Sequence, residues 1–162
     1  MIDFATALDR LGPVQTRPLF VMDVTVDRIH TVGAPGGTDQ RVGNIAGGRF
    51  AGERLSGTIL PGGADWQTVR ADGTVLLDAR IVLAADDGAV IGMTYEGIRT
   101  GPPDVLARLA RGEPVDPEAY HFRTTARFTT SAPHYDWLNR VIAIGLGHRL
   151  PGGPIYSLHE LL

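Results

Sequence analysis

The chain has 162 residues, a formal net charge of −3 and no cysteine. The length suits one domain, 1–162, able to bury a core of its own, and 43% hydrophobic with 20% charged residues is a globular balance. The missing thiols exclude disulfides, thiolate metal sites and cysteine nucleophiles; all fifteen basic residues are Arg, which excludes lysine Schiff bases and a phosphate-loop lysine, and the acidic balance gives nucleic acid no basic field to bind.

At the N-terminus, Met1-Ile2-Asp3-Phe4 has no basic region ahead of an apolar stretch, so no signal peptide is expected. No apolar run approaches the roughly 18 residues of a membrane-spanning helix. The expectation is a cytoplasmic protein with no membrane partner. Asp3 to Leu11 fits one or two helical turns. Leu19 to Asp27 is rich in β-branched residues and reads as the first strand. Gly33 to Asp39 is a loop, and Gly48 to Leu60 alternates loosely before ending at Pro61-Gly62-Gly63. Val75 to Ala85 is a strand that turns at Asp86-Asp87-Gly88 and returns as Ala89 to Gly97, because Asp-Gly accepts the positive φ of a tight hairpin. Pro102 to Arg111 has Pro at its start and Gly112 after it, the expected asymmetry of a short helix, with Val105, Leu106 and Leu109 on one face. Tyr120 to Thr130, Asn139 to Arg149 and Ile155 to Leu161 complete the set. Short strands punctuated by turn residues predict an all-β fold, a single antiparallel β-barrel of about eight strands with one or two short helices. A two-layer sandwich is the alternative.

Strand side chains alternate between faces. Leu77, Ala79, Ile81 and Leu83 share one face, Asp78 and Arg80 the other. Tyr120, Phe122, Ala126 and Phe128 oppose His121, Arg123, Thr125 and Arg127. Asn139, Val141, Ala143, Gly145, Gly147 and Arg149 share a face that is small in its middle, which leaves room for something. Polar faces either meet solvent or line a polar interior. On the second reading Asp78, Arg80, Arg123, Asn139 and Arg149 converge, and their Arg side chains present planar forks to an anionic or carbonyl-bearing ligand.

The strongest local feature is Gly62-Gly63-Ala64-Asp65-Trp66, an Asp at a sharply bent corner beside a large aromatic. An Asp against an apolar wall has a raised pKa and can work as acid or base; the plainer reading is a turn carboxylate with Trp66 as core. Tyr135, Trp137 and Asn139 suit a pocket mouth or an ordinary strand entry. The five histidines show no metal-ligand spacing, and no Gly-x-Ser-x-Gly elbow is present, so neither a metal nor a cofactor is expected.

In order and spacing the chain resembles a bacterial and fungal family of unknown function, the domain-of-unknown-function family 3237. The marks are Gly47-Gly48-Arg49-Phe50, Leu60-Pro61-Gly62-Gly63-Ala64-Asp65-Trp66, Asp72-Gly73, Leu77-Asp78-Ala79-Arg80 and Asp86-Asp87-Gly88-Ala89, then Gly101-Pro102-Pro103, Tyr120-His121-Phe122-Arg123 and Trp137-Leu138-Asn139. They span about Leu19 to Leu161, with His121 standing where an aromatic would be expected. The resemblance implies a compact antiparallel β-barrel and marks Asp65, Arg80, Arg123 and Asn139 as site candidates.

The functional expectation is a small-molecule-binding barrel, and within that class a cofactor-independent lyase, isomerase or cyclase acting on a small oxygenated, partly apolar substrate. Asp65, Arg80 and Arg123 are the expected catalytic residues: Asp65 moves a proton and the two arginines hold a carboxylate or an enolate-like oxygen. Trp66, Asp78, Tyr120, Trp137, Asn139 and Arg149 are the expected substrate-binding residues. The alternatives are a carrier barrel that leaves its ligand unchanged and an oligomerising protein with no pocket; self-association is left open.

Overall fold

The computed structural model describes every residue except Ile2, and of Pro35 the backbone alone. Eight strands pair antiparallel in sequence order, and the last pairs with the first to close a barrel. They are β1 (Thr16–Gly33), β2 (Asp39–Ala51), β3 (Ser56–Val69), β4 (Val75–Ala85), β5 (Val90–Thr100), β6 (His121–Thr129), β7 (Ile142–Leu150) and β8 (Gly153–Leu161). Closure leaves no sheet edge unpaired. Two short helices, α1 (Phe4–Leu11) and α2 (Pro103–Ala110), complete the expected architecture. Among the described residues no helix is long and apolar enough to cross a membrane.

Period-two alternation decides which side chains enter the barrel. On β4, Leu77, Ala79, Ile81 and Leu83 are buried while Asp78 and Arg80 are exposed. The hairpins follow from their turn residues. In the β4–β5 turn Gly88 holds φ 89° and Asp87 Oδ1 accepts from Ala89 N at 3.1 Å; in the β3–β4 turn Asp72 Oδ1 accepts from Thr74 N at 2.9 Å.

Several boundaries differ from the sequence reading. The run from Gly48 to Leu60 is not one strand: it contains the end of β2, a tight turn at Gly52–Leu55, and the start of β3. Pro61-Gly62-Gly63 does not end a strand either. It is a bulge inside β3, since Leu60 pairs with Val82 and Ala64 with Arg80, which leaves three residues on one strand opposite one on the other. Gly62 takes φ 103°, and a Cβ on Gly63 would lie 2.7 Å from the Arg80 carbonyl oxygen, so the bulge needs glycine at both places. The last correction is at β7, which starts at Ile142; Pro133–Arg140 form a 3-10 segment instead.

The barrel has two different ends. Around Phe20 the lower half is solid, with Phe50 and Phe128 rings at 5.3 and 6.0 Å and Leu55, Ile91 and Leu138 buried against them. The 3-10 segment and the β2–β3 and β4–β5 turns lie at this closed end. At the other end lie the β1–β2, β3–β4 and β7–β8 turns and α2, which buries Val105 and Leu109.

Candidate functional site

The interior changes character midway along β3. Asp65 pairs with Gly43 on β2 and Ala79 on β4, and Ala79 pairs in turn with Tyr95 on β5. Two small neighbours therefore flank Asp65 at the level of Tyr95. One step toward the open end, Gln67 stands opposite Arg41 and Leu77; at the next, Val69, Val75 and Arg99 follow in register. A cavity of about 500 Å³ lies there, with Asp65, Gln67, Arg41, Arg99, Arg149 and Tyr156 on its polar walls and Leu106 and Leu109 of α2 over it.

Asp65 is 5% exposed. Its Oδ2 accepts from Gln67 Nε2 at 2.8 Å, and its Oδ1 has no partner among the described residues. Burial of a carboxylate that lacks full hydrogen bonding favours the neutral form. Burial accordingly raises the Asp65 pKa, and the Gln67 amide and the Arg99 charge oppose that rise without cancelling it. Tyr95 and Tyr156 pack with ring centroids 5.5 Å apart. Burial pushes both phenols above their ordinary value, and the nearby Asp65 adds to the rise. Both stay protonated, and the two hydroxyls lie close enough to influence each other.

The arginines enter from three different strands. Burial lowers the pKa of Arg99, and the charges of Arg149 and Arg41 lower it further. Arg149 sits at the end of β7, fixed where its backbone N donates to the Tyr120 hydroxyl at 2.8 Å. The small residues of β7 do not leave an empty space, as the sequence suggested. A Cβ on Gly147 would lie 2.7 Å from the Phe122 ring and one on Gly145 2.2 Å from Thr124 Oγ1, so β6 side chains fill that room.

Of the residues singled out from sequence, Asp65 and Arg149 line the cavity and Tyr120 supports Arg149. The expected convergence of Asp78, Arg80, Arg123 and Asn139 with Arg149 does not occur. Asp78 and Arg80 alternate with buried Leu77 and Ala79, and Arg123 with buried Phe122 and Thr124, so all three point outward. Trp66 follows Asp65 and by the same alternation lies outside the barrel, 56% exposed. Asn139 and Trp137 belong to the 3-10 segment at the closed end. There Asn139 Oδ1 accepts from Thr130 N at 2.8 Å and its Nδ2 donates to Thr130 O at 2.9 Å, which clasps the loop. Trp137 lies under the Arg54 guanidinium at 4.1 Å.

Arg41, Gln67, Tyr95, Arg99 and Tyr156 also line or adjoin this site and are not among the residues expected from sequence. Their signal was present: Met93, Tyr95, Gly97 and Arg99 alternate in phase, as do Arg41, Gly43 and Ile45. Among the described residues no group of three or more His, Asp or Glu side chains is placed to hold a metal ion.

The sequence pattern of a family described as protein of unknown function (DUF3237) matches residues 14–161. A UPF0311 protein of Rhodopseudomonas palustris is 36% identical over 149 residues, 92% of this chain and 97% of that protein. Its crystal structure, described as a conserved protein of unknown function, superposes with a TM-score of 0.90 over 93% of this chain and 99% of that one. A β-barrel-like protein from Acinetobacter baumannii is 38% identical with a TM-score of 0.82, covering 93% and 98% of the two chains. A structure described as an enzyme from Penicillium herquei shares the fold at 24% identity and a TM-score of 0.72, covering 93% and 96%.

Proposed function

We propose that this chain, which belongs to the DUF3237 family, is a small-molecule-binding barrel that works as a cofactor-independent lyase, isomerase or cyclase, with Asp65 as its acid–base residue. The observation that carries the reading is Asp65 itself: it lines a cavity of about 500 Å³, its carboxylate is buried, and its second oxygen has no partner among the described residues. A volume of that order holds a small organic molecule.

The chemistry follows from the surroundings. Burial brings the Asp65 pKa closer to neutrality, where a group that must both give and take a proton works best. The Gln67 amide holds Oδ2, which directs proton transfer to Oδ1. Tyr156 lines the same cavity as Asp65 and stays protonated, so it supplies a donor for an oxygen on which negative charge develops. A protein of the same fold described as an enzyme is compatible with this reading. Arg80 and Arg123 have no part in it, because they lie outside the barrel.

The test is turnover of small ketones, lactones and aromatic acids by the native chain and by Asp65→Asn, with products identified. The variant is expected to fold and to lose on the order of 100-fold or more in rate. Full activity in Asp65→Asn would remove the assignment, and a ligand that the native chain binds and returns unchanged would make the barrel a carrier.

A further inference from the structure

Three arginines, Arg41, Arg99 and Arg149, line one cavity. The ion pairs of the described residues use Arg17, Arg54, Arg108, Arg111, Arg140 and His134. None of them involves the three cavity arginines, so among the described residues no carboxylate lies within ion-pairing distance of these cations. Their hydrogen bonding is thin as well. Among the described residues the Arg149 side chain reaches only the neighbouring Leu150 carbonyl, and the buried Arg41 Nε has no partner. Gathering like charges in a partly desolvated space is unfavourable unless an anion completes it. Asp65 is the buried acid of this end, and it lies deeper than the arginines, at the level of Tyr95.

Resting on the acid–base reading of Asp65, we infer that the arginine triad is the binding site for the carboxylate of an organic acid, so that the substrate whose proton Asp65 moves is itself an anion with an apolar body. Guanidinium forks match a carboxylate in a bidentate, planar way. The rest of the wall fits a hydrocarbon or aromatic body: Val69, Val75 and Leu77 on the strands, Leu106 and Leu109 on α2. The layering then orders the substrate. Its carboxylate meets the arginines, its body lies under α2, and an atom near the carboxylate reaches Asp65 and Tyr156. A bound anion would also make the Asp65 carboxylate harder to ionise, which keeps its proton available for donation.

Binding, not turnover, tests this. Titration calorimetry and thermal shift are measured on the whole chain with benzoate, with benzamide as its uncharged counterpart, and with inorganic phosphate. Benzoate is expected to raise the melting temperature and to bind at least 10-fold tighter than benzamide. Arg99→Gln and, separately, Arg149→Gln are expected to lose about 10-fold or more of the benzoate affinity, the effect of removing a charged hydrogen-bond donor. Asp65→Asn is expected to bind benzoate at least as well as the native chain. Equal binding of benzoate and benzamide, no binding of either, or unchanged benzoate affinity in both arginine variants would overturn the inference. Phosphate binding tighter than benzoate would overturn the organic-acid assignment. None of these results bears on Asp65 turnover, and full turnover by Asp65→Asn would leave the anion site standing, so the two readings fail separately.

Discussion

At the closed end of the barrel Glu160 is 8% exposed and is held by Arg17 at 2.9 Å and by Arg54. At the open end Asp65 is 5% exposed and is held by one amide, with its second oxygen unpartnered. Burial works against the charge of both carboxylates. At Glu160 the two guanidiniums outweigh it and hold the carboxyl below its ordinary value. At Asp65 nothing does, and the pKa rises. The arginines show a related contrast: Arg17 and Arg54 at the closed end pair with Glu160, whereas Arg41, Arg99 and Arg149 around the cavity have no carboxylate partner among the described residues. One end of this barrel satisfies its polar groups internally; the other leaves an acid, a phenol and three cations arranged around a space. The difference teaches where a ligand completes the molecule.

The largest effect separates the ends by packing. Phe20→Ala opens the aromatic cluster of the closed end and should cost about 3–5 kcal/mol, read as a fall in the urea midpoint, with benzoate affinity unchanged in the folded fraction. Loss of affinity without loss of stability would break the comparison. A smaller effect separates the two carboxylates. Glu160→Gln leaves Arg17 and Arg54 without their counter-charge and should cost about 1–3 kcal/mol, toward the low end because Arg17 is half exposed. Smallest is Asp65→Asn, which should leave stability within about 1 kcal/mol of native or raise it, since it removes a buried charge that lacks full solvation.

The same pair sharpens with pH. The lowered pKa of Glu160 contributes stability that is present above its ordinary value of 4.5 and is lost as pH falls through the folded value. The raised pKa of Asp65 acts in the opposite direction. Its contribution is most favourable below the ordinary value of 3.8 and is lost as pH rises through the higher folded value. Urea midpoints measured across the acidic range should therefore show a shallower acid-side loss in Glu160→Gln, and in Asp65→Asn the removal of the decline above 3.8. Parallel profiles for native chain and variants would contradict both assignments.

Much of the barrel was legible because turn chemistry and alternation are local. Asp86-Asp87-Gly88 marked its hairpin, and Leu77 to Leu83 declared its inner face. Asp65 stood out because two glycines precede it. What failed was phase and extent. Asp78, Arg80 and Arg123 are chemically suited to a site but stand one residue out of phase with it, and a period of two sends them to the outside. Asn139 reads as a strand residue, whereas a proline and a side-chain clasp on Thr130 make it part of a 3-10 turn. Arg41 and Arg99 lie outside the strands as read from sequence, which begin again only at Gly48 and stop at Gly97, whereas β2 starts at Asp39 and β5 runs to Thr100. That Arg41, Arg99 and Arg149 meet at all is set by strand order and register across the closed barrel, which no local pattern contains.

The most direct test of the account is a ¹³C NMR titration of the side-chain carboxyls of Asp65 and Glu160 in the folded chain. The account predicts that Asp65 titrates above 3.8 and Glu160 below 4.5. An Asp65 carboxyl that titrates at or below 3.8 would mean that the open end satisfies its acid as fully as the closed end does, and would contradict the account.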